Sequence, residues 1–197
     1  GNIDKRGGSM FTMPATGGAT TRGQGGKGKG FAMGRGHSRV SNRAEVLGEY
    51  PVAAMAEEII TPGENQIRGM VTVAGNPVLS TPHSKQLDAA LAELEFMVSI
   101  DIYVNETTRH ADVILPAPSS LEKDHYDVGL YLYAVRNVAN YSEPVLARDP
   151  STPDEADILL KMAGIFQGLG ADCDAEALDD QSINAAVLSA VANSSSP

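Results

Sequence analysis

The sequence predicts an α/β fold: a three-layer αβα arrangement around a mainly parallel sheet, preceded by a long Gly-rich loop. Three observations carry this expectation. Short β-rich runs alternate with helical periodicity through the middle of the chain, and each run stops in a loop-forming cluster. Hydrophobic residues make up 42% of the 197, enough for a packed core, yet no apolar run reaches the roughly 18 residues of a membrane helix.

The elements follow in order. Arg43 to Ile60 reads as a helix, with Pro51 suited to a first turn and Val52, Met55, Ala56 and Ile59 on one face. Thr61 to Asn65 breaks it. Ile67 to Ala74 is β-rich and ends in Gly75-Asn76-Pro77. Ser84 to Leu94 is helical, with Leu87, Ala90, Leu91 and Leu94 at the right spacing. Phe96 to Ile100 is the next strand, ending in Asp101, and Asp112 to Leu115 is a third, stopped by Pro116 and Pro118. Asp157 to Leu169 makes an amphipathic helix closed by Gly168 and Gly170, and Asp180 to Ala192 a last one. Strand, helix, strand, short helix, strand is the order of a parallel sheet with helices on its faces.

Charge divides the chain. The net charge of −10 hides eight Lys/Arg against one acid in residues 1–43, and 7 basic against 24 acidic residues beyond. The organisation expected is a basic Gly-rich segment over 1–43, an αβα core over 44–170, and a C-terminal helix with a Ser-rich tail over 171–197. Residues 17–38 are too rich in Gly to repay backbone entropy by burial. They could form a nucleic-acid-binding arm, but only Phe31 there could stack on a base and the rest of the chain repels a polyanion. A surface loop braced by other parts of a larger protein is the expectation, and no nucleic acid is expected as a partner. Gly1 to Gly8 has no apolar signal core, and the chain starts without Met, so an internal piece of a longer polypeptide is expected. One cysteine, Cys173, leaves no internal disulfide and no multi-cysteine metal site.

Parallel sheets bind ligands beyond the carboxyl ends of their strands. Gly75-Asn76-Pro77 and Asp101 fall at two such ends. Gly allows close backbone approach, Asn offers a donor and an acceptor, and a carboxylate can accept two hydrogen bonds from an edge such as that of guanine. On these grounds alone, a turn and a helix cap are the alternative readings.

The stretch Asn105 to Asp124 adds a sharper signal. With Gly75-Asn76-Pro77, then Asp101-Ile102-Tyr103, Glu106-Thr107, Ala111-Asp112-Val113-Ile114-Leu115-Pro116 and Glu122-Lys123 in that order, the chain resembles the molybdopterin oxidoreductases, the dimethyl sulfoxide reductase family that includes formate dehydrogenases and nitrate reductases. The opening Gly1-Asn2 and Gly7-Gly8 are similar to a mid-chain segment of that family. The resemblance is strong over residues 67–124, fair at 1–11 and 125–170, and absent over 171–197.

The resemblance implies a role as part of a catalytic subunit, formate dehydrogenase-like, that moves two electrons at molybdenum or tungsten held by molybdopterin guanine dinucleotide. A [4Fe-4S] cluster would lie outside this chain. By matching position, Gly75, Asn76, Pro77, Asp101, Asn105 and Lys123 would contribute to one guanine dinucleotide pocket; many members carry Thr where Asn105 stands. Asp154 or Glu155 is a further candidate before the late helix. No catalytic residue and no metal ligand is expected within the chain, which should be inert alone. Its partners would be other domains of the same polypeptide and a redox subunit or carrier. A cytoplasmic location is expected.

Other conspicuous residues are read as structural. His110 precedes a strand and is assigned to surface packing, while His37, His83 and His125 lack metal-ligand spacing. Glu106 and Asp112 are read as capping or loop-bracing groups. Ser119-Ser120 lacks the context of a nucleophile elbow. Cys173, between Asp172 and Asp174, lacks the electropositive setting that favours a metal-binding thiolate. Two other functions remain as alternatives: a stand-alone, non-catalytic nucleotide or cofactor module, and a nucleic-acid binder whose affinity falls steeply with salt.

Overall fold

A computed structural model describes residues 33–46, 48–126 and 140–194. Residues 1–32, which hold most of the Gly-rich tract and the Gly1 to Gly8 segment, lie outside the described residues.

Strands β3 (Gly69–Val73), β4 (Phe96–Ile100) and β5 (Val113–Leu115) form a parallel sheet in that order, in register Gly69↔Phe96 through Val73↔Ile100 and Val98↔Val113 through Ile100↔Leu115. The α/β expectation holds. Alternation along the strands turns Met70, Thr72, Met97 and Ser99 to one face. That face meets α1 (Met55–Ile60), α2 (Pro77–Ser80) and α3 (Ser84–Leu91), where Ala56, Ile59, Val78, Leu87, Ala90, Leu91 and Met97 form the core. Two hydroxyls sit within this sheet, Thr72 and Ser99, and they bond each other at 2.7 Å. Neither is left unpaired in a region that would penalise it.

The opposite face carries Val71, Phe96, Val98, Val113 and Leu115. Met162, Ile165 and Phe166 of helix α4 (Glu155–Phe166) line an open apolar cleft with it, of about 470 Å³. Asp154 caps α4, its Oδ1 accepting from the Ala156 amide at 3.1 Å, and Gly168 in the left-handed region follows its end. Helix α5 (Ala175–Ser194) packs back on α4. Contact is close at Gly164, where an added Cβ would stand 2.6 Å from Cys173 Sγ. Among the described residues no helix is long and apolar enough to cross a membrane.

The long first helix is corrected. Residues 44–46 form β2 (Ala44–Val46), paired antiparallel with β1 (Met33–His37) inside the stretch expected to be loop, and helix begins only after the 3₁₀ turn Val52–Ala54. The periodic residues from Val52 onward are helical, but Gly48 at φ +94° breaks any helix before them. Pro51 also disfavours helical backbone at Tyr50. The hairpin is fastened at two points. Glu45, 4% exposed, accepts from Arg35 Nη2 at 2.5 Å and from the Gly48 amide. Glu58 on α1, buried, accepts from Arg39 Nε at 3.2 Å and the Val40 amide at 2.9 Å. A short antiparallel pair, β6 (His125–Tyr126) and β7 (Tyr141–Ser142), lies between β5 and α4.

Candidate functional site

Because β3 and β4 run parallel in direct register, their carboxyl ends open side by side. The chain leaves β3 through Ala74, whose φ of +48° places a residue with a Cβ in the left-handed region; its amide donates to the Ile100 carbonyl at 2.9 Å. Such strain, of order 1 kcal/mol, persists where the surroundings hold it, and is concentrated at ligand sites. Gly75 follows, half-buried. A Cβ there would make only ordinary contacts, with the Val73 carbonyl oxygen at 3.6 Å and Pro77 Cδ at 4.0 Å. Pro77 then opens α2 at its first position, where its missing N–H costs nothing.

The Asn76 side chain is engaged within the protein. Its Nδ2 donates to Glu106 Oε2 at 2.6 Å and its Oδ1 accepts from Thr107 Oγ1 at 2.7 Å. The Thr107 hydroxyl also accepts from the Val78 amide at 3.0 Å, so the loop after β4 caps the helix after β3.

The second strand end is built from Asp101. Its Oδ1 accepts from the Tyr103 amide at 2.9 Å and its Oδ2 from Asn105 Nδ2 at 3.4 Å. Asn105 Oδ1 in turn accepts from the Thr107 and Thr108 amides, each at 2.9 Å. Thr108 Oγ1 donates to the Tyr103 carbonyl at 2.8 Å and accepts from the Asn105 amide at 2.8 Å. Asn76, Asp101 and Asn105 therefore belong to one hydrogen-bonded network, completed by Glu106, Thr107 and Thr108. From the sequence, Glu106 was read as a bracing group, Thr107 entered only as part of the Glu106-Thr107 motif, and Thr108 was not singled out. The signal was the pair of adjacent threonines after Asn105: both are fully buried, and buried hydroxyls need partners.

The network is acidic toward solvent. Asn76 as hydrogen-bond donor, and further off the charge of Arg109, hold the Glu106 carboxyl below its usual range. Asp101 is half-buried and keeps lone pairs beyond its two bonds. Beside it Tyr103 and Val104 are 70% and 77% exposed at the strand end. The arrangement suits a neutral or donor-rich ligand edge better than a phosphate.

Lys123 stands apart from this network. Its ammonium pairs with Glu155 in the first turn of α4, while Asp154 receives Arg148 Nη1 at 2.8 Å. Together with Glu122 and Asp124, Lys123, Arg148 and Asp154 line a separate shallow cavity of about 320 Å³ whose other walls are Pro144, Leu146 and Ala147. Among the described residues no hydrogen bond or ion pair joins Lys123 to Asn76 or Asp101. Both candidates before the late helix are thus engaged, Asp154 as cap and Arg148 partner, Glu155 as the counter-ion of Lys123.

His110 Nε2 lies 2.6 Å from Asp88 Oδ1 on α3, which also takes Arg109 Nη2 at 2.6 Å. Asp112 Oδ2 accepts from the Met97 amide at 2.7 Å, bracing the start of β4, and Cys173 Sγ faces the Lys161 carbonyl at 3.7 Å. Among the described residues no three His, Cys, Asp or Glu side chains are grouped to hold a metal.

Comparison with known proteins places this geometry in context. A family model for molybdopterin oxidoreductases matches residues 6–140. The chain is 41% identical over 61 residues to an assimilatory nitrate reductase catalytic subunit of Bacillus subtilis, covering 31% of the chain and 9% of that protein. It is 39% identical over 67 residues to an F420-dependent formate dehydrogenase subunit alpha of Methanocaldococcus jannaschii, covering 34% and 10%. To the corresponding subunit of formate dehydrogenase 2 of Methanococcus maripaludis it is 27% identical over 123 residues, covering 62% and 18%. The chain thus spans a tenth to a fifth of the length of these relatives.

Proposed function

The chain belongs to the molybdopterin oxidoreductase family, and from that premise we propose that it is part of the catalytic subunit of a formate dehydrogenase-like enzyme and supplies part of its molybdopterin guanine dinucleotide site. The observation that carries this reading is the braced pair of strand ends. Ala74 to Pro77 and Asp101 to Asn105 are held against each other by Asn76, Thr107 and Asn105 at the carboxyl edge of a parallel sheet, where such sheets take nucleotides.

The residues present fit the nucleoside end of that group. Asp101 would accept from guanine N–H groups or ribose hydroxyls, with Asn105 and the Tyr103 amide fixing its rotamer. Gly75 and the Asn76 N–H would offer main chain to the ligand, since the Asn76 carboxamide bonds Glu106 and Thr107, while Pro77, with no N–H and its carbonyl taken by Thr81, would offer ring contact alone. Lys123 would meet phosphate or ribose with the donors its ammonium does not give to Glu155. When bound, the group supplies two-electron chemistry at molybdenum or tungsten. The described residues do not fit the metal end. The metal, and a [4Fe-4S] cluster if the enzyme carries one, would then be held by other domains of the same polypeptide, and electrons would pass to a redox subunit or carrier. On this reading the chain is inert alone, and the enzyme is cytoplasmic.

Titration of the 197-residue chain with GMP, followed by amide NMR, tests the reading. Shifts are expected at Gly75, Asn76, Asp101 and Asn105. Asp101→Ala should weaken binding by about tenfold or more, the scale of a lost charge-assisted hydrogen bond. An unchanged spectrum at millimolar GMP would remove the claim that this segment forms a nucleotide pocket.

A further inference from the structure

The loop that joins β4 to β5 carries Asn105, Glu106 and Thr107, three members of the network at the strand ends. It is exposed at Ile102 to Val104 on one side. On the other it is tied down by the 3₁₀ turn Thr108–His110, whose Arg109 amide donates to the Asn105 carbonyl and whose His110 amide donates to the Thr107 carbonyl, each at 3.1 Å. Where that turn sits is decided from outside it. Asp88 Oδ1, on α3, receives both Arg109 Nη2 and His110 Nε2 at 2.6 Å. These two donors lie 21 and 22 residues along the chain from Asp88, so the bonds fasten loop to helix. Helix α3 is rigidly seated, because Leu87, Ala90 and Leu91 are all but inaccessible. The Arg109 guanidinium, followed by His110, holds the Asp88 carboxyl below its usual range, so at neutral pH it is a charged acceptor.

We propose that Asp88 is a positioning residue for the nucleotide site: through Arg109 and His110 it sets the loop that presents Asn105, Glu106 and Thr107 to Asn76 and Asp101, without touching the ligand. This rests on the nucleotide reading above. The path is short and fully hydrogen-bonded. It runs from Asp88 to Arg109 and His110, from their amides to the Asn105 and Thr107 carbonyls, and from the Asn105 and Thr107 side chains to Asp101 and Asn76. Nothing in the pattern of residues 84–91 marks Asp88 as more than the polar face of an amphipathic helix.

The test uses the 197-residue chain, GMP as probe, and two variants, Asp88→Ala and the shape-conserving Asp88→Asn. Asp88→Ala should weaken GMP binding by about three- to tenfold, below the cost of a direct ligand bond, with Asp88→Asn in between. Without ligand, the Arg109 and His110 amides should exchange faster in Asp88→Ala while those of Leu87 and Leu91 do not. In an Arg109→Ala/His110→Ala background the Asp88→Ala change should cost no further affinity. A role confined to helix stability would instead persist in that background. GMP binding by Asp88→Ala within about twofold of the parent, or an equal loss in both backgrounds, overturns this inference alone. Absence of GMP binding by the parent overturns the nucleotide reading, and this inference with it.

Discussion

Thr107 Oγ1 lies 2.7 Å from Asn76 Oδ1, across 31 residues of sequence, and joins the two strand ends that form the candidate site. The hydroxyl donates to the Asn76 amide oxygen and accepts from the Val78 amide, so one buried side chain caps α2 and fixes the turn before it.

Thr107→Val keeps the shape and removes both bonds. The buried Val78 amide then loses its partner, and the half-buried Asn76 oxygen its donor, at a cost of about 1–3 kcal/mol. Urea unfolding should show this loss with an unchanged m-value, and Thr107→Ser should recover most of it. A midpoint for Thr107→Val equal to the parent's would show that the hydroxyl is not needed.

Gly164→Ala tests the α4–α5 contact. A Cβ at that position would meet Cys173 Sγ at 2.6 Å and Leu178 Cδ1 at 3.0 Å, so the Cys173 and Leu178 side chains must shift. Overpacking of this kind costs about 1–3 kcal/mol, set against roughly 1 kcal/mol of helix propensity gained. A lower melting temperature is expected, partly recovered by Cys173→Ala in the same chain. A stabilised Gly164→Ala variant would contradict the packing described here.

Glu45 gives a pH dependence with a definite sign. The Arg35 hydrogen bond, assisted by the Gly48 and Arg35 amides and by the Arg35 charge, outweighs burial and lowers the Glu45 carboxyl to about 2. In the unfolded chain it titrates near its ordinary value of about 4.3. The contribution to hairpin stability is therefore complete above that value and is lost as pH falls through about 2. Protection of the Gly48 amide, measured against its intrinsic exchange rate at each pH, should fall over that interval, and Glu45→Gln should abolish the dependence. An identical pH profile in Glu45→Gln would assign the effect to another carboxylate.

Much of the fold was legible because its signals are local. Leu87, Ala90 and Leu91 recur at helical spacing and are buried on one face of α3. The run Phe96 to Ile100 is β4 from end to end, and β3 loses only its first two expected residues and its last. Asp154, read as one of two ligand candidates, is the N-cap that starts α4 two residues before the expected Asp157. The β1–β2 hairpin was missed for the opposite reason. A five-residue strand with two glycines has little intrinsic signal, and it is held by Arg35–Glu45 and Arg39–Glu58, pairs formed only once the chain has turned back.

The sequence by itself determined the order β3, α3, β4, β5, the family, and that Gly75, Asn76 and Asp101 stand at the carboxyl ends of β3 and β4. Tertiary structure alone decided what those side chains hold. Asn76 is committed to Glu106 and Thr107, Lys123 to Glu155, and Asp88 to Arg109 and His110, each across more than 20 residues. Periodicity and turn chemistry act over a few residues and can be read from a string. The choice of partner for a polar side chain depends on which groups burial brings within 3 Å, and burial is a property of the folded chain.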